Sequence, residues 1–253
     1  MSVIKNNKNY GTKVKIEKVD TLISTYFYVE DVSGSDNTLS IGRGSASQIA
    51  IEVFASTDQI NWTSMGTTSM DTPLTATIPA DGKLYLKANT AAWGNGWDGQ
   101  NWIHTSSDAN VGGNIMSLLN GDNFVNSGFA PNSSNNFHSM FRDFNTLINA
   151  SELQLPATTL TKGCYAYMFA LCGVRTTPVL PATTLVENCY LGMFSTSGTR
   201  KVVTYAQDIS AENCISGWLD NVSGTGNFYN LGGATYPSGT SGIPTGWTEH
   251  TSL

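Results

Sequence analysis

Three tryptophans, Trp93, Trp97 and Trp102, fall within ten residues and are interleaved with Asn95, Asp98, Gln100 and Asn101. Indole faces stack on the apolar faces of sugar rings, while amides and carboxylates hydrogen-bond hydroxyls. This spacing therefore suits a carbohydrate platform built from Trp93, Trp97, Asp98 and Trp102. The same three indoles would equally serve as packing between two domains, covering the first turn of whatever follows. Exposure separates the two readings.

Other chemistry finds no anchor. His104, His138 and His250 are scattered, and there is no Gly-x-Ser-x-Gly elbow, phosphate-binding Gly-x-x-x-x-Gly-Lys loop or His-Glu-x-x-His helix. Cys172 follows Cys164 by eight residues, and no Cys-x-x-Cys or Cys/His spacing suits zinc or an iron–sulfur cluster. Asp31, Ser33, Ser35, Asp36 and Asn37 could chelate calcium loosely, but the glycine and terminal glutamate of an EF-hand are missing, and a polar β-turn explains them as well. The expectation is a protein with no catalytic residue, metal or cofactor.

The chain has 253 residues, of which 40% are hydrophobic, 10% aromatic and only 13% charged. That is enough apolar area for two cores, under a surface of Ser, Thr, Asn and Gly. A net charge of −6 gives no general attraction to nucleic acid or to an anionic membrane. The charge is uneven: Lys5, Lys8, Lys13, Lys15 and Lys18 face only Glu17 and Asp20, a net +3 in the first twenty residues. Such an arm could dock on an acidic partner, with Lys5, Lys8, Lys13 and Lys15 as contacts, or could be a solvated lysine-rich edge strand. No apolar h-region follows these lysines and no run of about eighteen apolar residues occurs, which predicts synthesis in the cytosol without membrane insertion.

From Lys13 to about Thr90, short β-branched, alternating runs are separated by turn signals such as Gly34-Ser35-Asp36-Asn37 and Ala80-Asp81-Gly82. This predicts six or seven strands of an antiparallel β-sandwich, with Trp62 as its core aromatic.

The strongest signal is internal repetition. Leu155-Pro-Ala-Thr-Thr-Leu160 recurs as Leu180-Pro-Ala-Thr-Thr-Leu185, and Cys164-Tyr-x-x-Met168-Phe169 recurs as Cys189-Tyr-x-x-Met193-Phe194, a period of 25. Ile209, Cys214, Trp218 and Leu219 keep the register in a degenerate copy, and Phe137, Met140 and Phe141 form an earlier half-copy. Leu160, Cys164 and Met168 stand at i, i+4 and i+8, the apolar stripe of a short helix. Residues before each proline supply a short strand, so stacked strand-turn-helix units are expected, with Cys164, Cys189 and Cys214 in one buried column. The whole is then mainly β with short helices: an N-terminal antiparallel β-sandwich plus a C-terminal leucine-rich-like αβ solenoid. The parts are a basic arm (1–20), the sandwich (21–105), a connector (106–134), the repeats (135–227) and a C-terminal cap or tail (228–253).

At these repeats the chain resembles the leucine-rich-like (BspA-like) surface repeats of gut Bacteroidota and their tailed phages. The stretch ahead of them looks like the sandwich and connector of phage virion proteins. The resemblance implies a non-enzymatic head-fibre or capsid-decorating protein, like those of crAss-like phages, on the virion surface after assembly in the host cytoplasm. Implied partners are other virion proteins; the tryptophan cluster adds a host-surface glycan, and a homotrimer, common among fibre-type proteins, is one open oligomeric state. The alternative is a bacterial surface or secreted adhesin that binds carbohydrate through Trp93, Trp97 and Trp102.

Overall fold

A computed structural model describes residues 24–94, 97, 100–126 and 134–253. The chain is mainly β, with 33% of residues in strands and 4% in helix, arranged in several sheets. No helix among the described residues is long and apolar enough to cross a membrane.

The first strands are β1 (Tyr28–Asp31), β2 (Asn37–Arg43), β3 (Glu52–Ser56), β4 (Thr63–Thr67), β5 (Leu74–Ile78), β6 (Lys83–Ala88), β7 (Asn101–Thr105) and β8 (Ala109–Asn114). A one-turn helix α1 (Ser117–Asn120), a 3₁₀ segment (Gly121–Asn126) and β9 (Leu147–Gln154) follow. Six strands pair in the order β4-β3-β6-β1-β8-β9, and three in the order β5-β2-β7. All pairings are antiparallel except β8 with β9. Alternation decides which side chains meet: in β6, Leu84, Leu86 and Ala88 are buried while Lys83, Tyr85 and Lys87 are not. Val29, Leu39, Ile41, Val53, Ile78, Leu86, Ile103 and Val111 join one apolar cluster across the two sheets.

The polar turn after β1 is organised by Asp31. Its carboxylate accepts from the amides of Ser33, Gly34 and Asp81, the Ser33 hydroxyl and the Asn37 side chain, at 2.7–3.2 Å. The β5–β6 turn is thereby tied to the β1–β2 turn. Trp62 is not the core aromatic. It is half-buried at the surface, 4.7 Å from Tyr26, with the Lys87 ammonium 4.3 Å above its ring. Phe27 and Trp93 fill the interior instead, both 0% exposed.

Within residues 106–134, β8 lies in the interior of the large sheet, between β1 and β9. On its other side β9 meets the next unit, through a parallel bridge of Asn149 with Thr176 and the Arg175 N–H donated to Ile148 O at 3.0 Å. β10 (Val179–Leu180), β11 (Lys201–Thr204), β12 (Gly226–Asn230) and β13 (Trp247–His250) then form a parallel four-stranded sheet in sequence order. These include the short strands expected before the second proline and in the degenerate copy.

The helices expected within the units are absent. Every fourth residue there has a left-handed backbone: Asn135, Ser139 and Asp143; Gly163, Tyr167 and Leu171; Asn188, Gly192 and Thr196; Asn213, Gly217 and Asn221. Each such residue ends a four-residue turn before a helical ladder can propagate. The amides of Cys164, Ala166, Met168 and Ala170 bond three residues back, while those of Tyr165, Tyr167, Phe169 and Leu171 bond to Cys189, Leu191, Met193 and Ser195 of the next unit. A spacing of i, i+4, i+8 fits this chain of turns as well as a helix. Glycine and asparagine, which tolerate positive φ, occupy seven of the twelve positions and tip the choice.

The turns direct their apolar stripes inward. Phe137, Tyr165, Tyr190, Trp218 and Tyr236 stack in one file at 5.7–6.4 Å, and Phe141, Phe169 and Phe194 in a second at 5.2 and 5.6 Å. Cys164, Cys189 and Cys214 are buried and free of disulfides, as is Cys172. Phe27 of the first sheets stacks 6.0 Å from Phe141, so the apolar interior runs without a break from one region to the other.

Candidate functional site

Of the three clustered tryptophans, the structure brings two together on a surface and withdraws the third. Trp93 is fully buried; its indole N–H donates to Asn101 O at 2.8 Å, and its backbone N–H to Asn136 Oδ1 at 2.8 Å. It is a core wedge pinned at both ends and offers no face to a sugar. Trp97 is 43% exposed, and Trp102 is half-buried on β7. Asp98 lies outside the described residues, as do Lys5, Lys8, Lys13 and Lys15.

Trp102 stands opposite Gly42 of β2, and its indole lies across that glycine, where any Cβ would collide with the ring. His104, two residues along, shares its face, with ring centroids 4.8 Å apart. His104 Nε2 lies 2.8 Å from Arg142 O; a carbonyl only accepts, so Nε2 carries the hydrogen and Nδ1 points elsewhere. This bond fixes the wall formed by residues 138–143, which brings His138, Arg142 and Asp143 to the same place.

Trp97, Gln100, Trp102, His104, His138, Arg142 and Asp143 line an open cleft of about 400 Å³. A side chain at Gly163 would meet the Trp97 indole, so the rim also touches the first intact repeat unit. Arg142 Nε is 3.6 Å from Asp143 Oδ2, and its guanidinium carbon sits 5.8 Å from the centre of the Tyr167 ring. His138 is 5% exposed, with Trp97 at 4.7 Å and Tyr167 at 5.8 Å, both edge-on. Neither of its ring nitrogens has a hydrogen-bond partner among the described residues. Burial, and then the Arg142 charge, pull its pKa down to about 4, so at neutral pH the imidazole carries one N–H and one lone pair.

Comparison with protein-family models, curated proteins and solved structures returns no match. The chemistry of the cleft must be read from its own side chains. It offers two indoles, the imidazoles of His104 and His138, the second of them neutral, an amide and one guanidinium–carboxylate pair: stacking faces together with donors and acceptors in fixed positions.

His104, His138 and Arg142 are not evident as a site in the chain. The Trp102-x-His104 spacing on a strand signals one shared face, which makes His104 recoverable. His138 and Arg142 belong to the half-copy of the repeat, and only folding carries them to Trp97. The thiols, by contrast, are withdrawn from chemistry: burial raises Cys172 and Cys189 to about 12 and Cys164 well above its usual value.

Proposed function

We propose that this chain is a non-enzymatic attachment protein, an N-terminal antiparallel β-sandwich joined to a C-terminal leucine-rich-like solenoid, with a glycan-binding cleft where they meet. The observation that carries this is the placing of exposed Trp97 beside Trp102 over a floor of neutral and paired polar groups. A sugar ring can stack on an indole there while His138, Arg142 and Asp143 take its hydroxyls.

The setting we propose is the surface of a phage particle, as a head fibre or capsid decoration. This rests on the resemblance carried by the two Leu-Pro-Ala-Thr-Thr-Leu copies and the Cys-Tyr and Met-Phe pairs. In this reading the basic arm, through Lys5, Lys8, Lys13 and Lys15, docks on an acidic virion partner, and three copies assemble as a homotrimer. Mass spectrometry and electron cryo-microscopy of purified particles test it. Stoichiometric presence at symmetric positions supports the reading, and absence from the particle overturns it.

The second reading is a bacterial surface or secreted adhesin, and the same cleft favours it, because sugar capture is useful on either surface. Recovery of the chain from bacterial envelopes rather than particles selects it. In both settings the bound sugar is held and not cleaved; release of shortened oligosaccharide from a stoichiometric complex would show an enzyme instead.

A further inference from the structure

We propose that the cleft takes an uncharged hexose unit and that His138 is the residue that reads its hydroxyls. This deepens the glycan-binding reading and rests on it.

Charge balance points to a neutral ligand. The guanidinium and the carboxylate that line the cleft, Arg142 and Asp143, lie 3.6 Å apart, so together they present no net charge to a ligand. The chain as a whole carries −6, which works against anions approaching from solution. A carboxylated sugar would reach Arg142 only beside the Asp143 carboxylate, whose charge repels its own.

Among the described residues, His138 is an unpartnered buried group in the wall of the cleft. A buried polar side chain ordinarily finds a partner, and leaving one unmade costs about 1–3 kcal/mol. Here both ring nitrogens are unpaired among the described residues, in a ring that lines the cleft. The neutral imidazole supplies one donor and one acceptor, the complement of two neighbouring hydroxyls, one accepting and one donating. Trp97 stands edge-on to this ring and is itself 43% exposed, so a sugar stacked on its indole lies next to His138.

The test uses the full chain, titrated by calorimetry and by tryptophan emission with neutral gluco-, galacto- and manno-oligosaccharides and with the uronic acid oligomers of the same three sugars. At least one neutral series should bind with a change in indole emission, and its uronate counterpart about tenfold more weakly or worse. His138→Phe keeps a ring in the space but removes both nitrogens. It should lose about tenfold or more in affinity while its Tm stays equal or rises, a combination that a purely structural histidine would not produce. Uronates binding as tightly as neutral sugars would overturn the ligand class and leave the glycan reading standing. Unchanged affinity in His138→Phe would overturn the role of His138. If no sugar of either series binds, the glycan reading falls too, and this inference with it.

Discussion

The imidazole of His138 stands edge-on to the indole of Trp97, with ring centroids 4.7 Å apart and planes at 80°. Burial, to which this contact belongs, and then the Arg142 charge keep neutral a group that would otherwise take up a proton near pH 6.5, holding it so down to about 4. Between those values the unfolded chain binds more protons than the folded one. Stability therefore falls as pH drops from about 6.5 to 4, and this contribution is flat above and below that window. Thermal melts across pH 4–7 should show the slope in the native protein and lack it in His138→Phe.

Asp31 acts lower on the pH scale and with the opposite origin. Burial raises its pKa, but the donors from Ser33, Asp81 and Asn37 outweigh this and bring it down to about 2. Its folded pKa is depressed, so its stabilisation is present above about pH 4 and is lost as pH falls toward 2. Asp31→Asn should lower Tm at pH 7 and flatten the acid limb below pH 4, measured by the same melts.

The tryptophans should separate cleanly under substitution. Trp93→Ala opens a core cavity and should destabilise by about 3–5 kcal/mol in urea unfolding. Trp97→Ala removes a 43% exposed ring, should leave the unfolding midpoint nearly unchanged, and should abolish the sugar-dependent emission change. A sugar response retained in Trp97→Ala would rule out the cleft.

The left-handed positions give a stability series. Thr196 is exposed with φ 55° and β-branched, a combination that costs about 1–2 kcal/mol. Thr196→Gly recovers this less the entropy of a new glycine, a net gain of about 0.5–1 kcal/mol. Gly192, with φ 57° and the Tyr167 ring lying over its Cα, should answer the other way. Gly192→Ala has both strain and collision, and should cost about 2 kcal/mol or more in denaturant titration.

The four thiols should be inert. Cys164, Cys172, Cys189 and Cys214 are all buried, so an aromatic disulfide reagent at pH 8 should label them only at the rate of unfolding and then reach all four. Rapid labelling in the native state would contradict the packing of the repeat stretch.

Much of the strand pattern was legible because alternation and turn chemistry act locally: Ala80-Asp81-Gly82 does turn the chain, with Asp81 at φ 52°. The 25-residue period was legible because it is written in identical residues. What the stripe of Leu160, Cys164 and Met168 could not convey was the hydrogen-bonding mode, since a spacing of four is common to a helical face and to successive four-residue turns. The deciding signal was weaker, glycine or asparagine at positions such as Gly163, Asn188, Gly192, Asn213 and Gly217. At the cleft, Trp93 and Trp97 look alike in composition. Which of them is buried depends on Asn101 and Asn136, and the second of these lies more than forty residues away. His138 carries no local mark of its surroundings.

β9 is bonded along both edges, to β8 on one side and to residues 175–176 on the other. Among the described residues, the early sheets and the repeat stretch are therefore joined through one hydrogen-bonded strand. A pull applied to the far end of the stack is carried across this strand as shear on several hydrogen bonds at once, where a tethered pair of domains would simply swing. Such a strand would let the described residues act under load as a strut rather than a hinge.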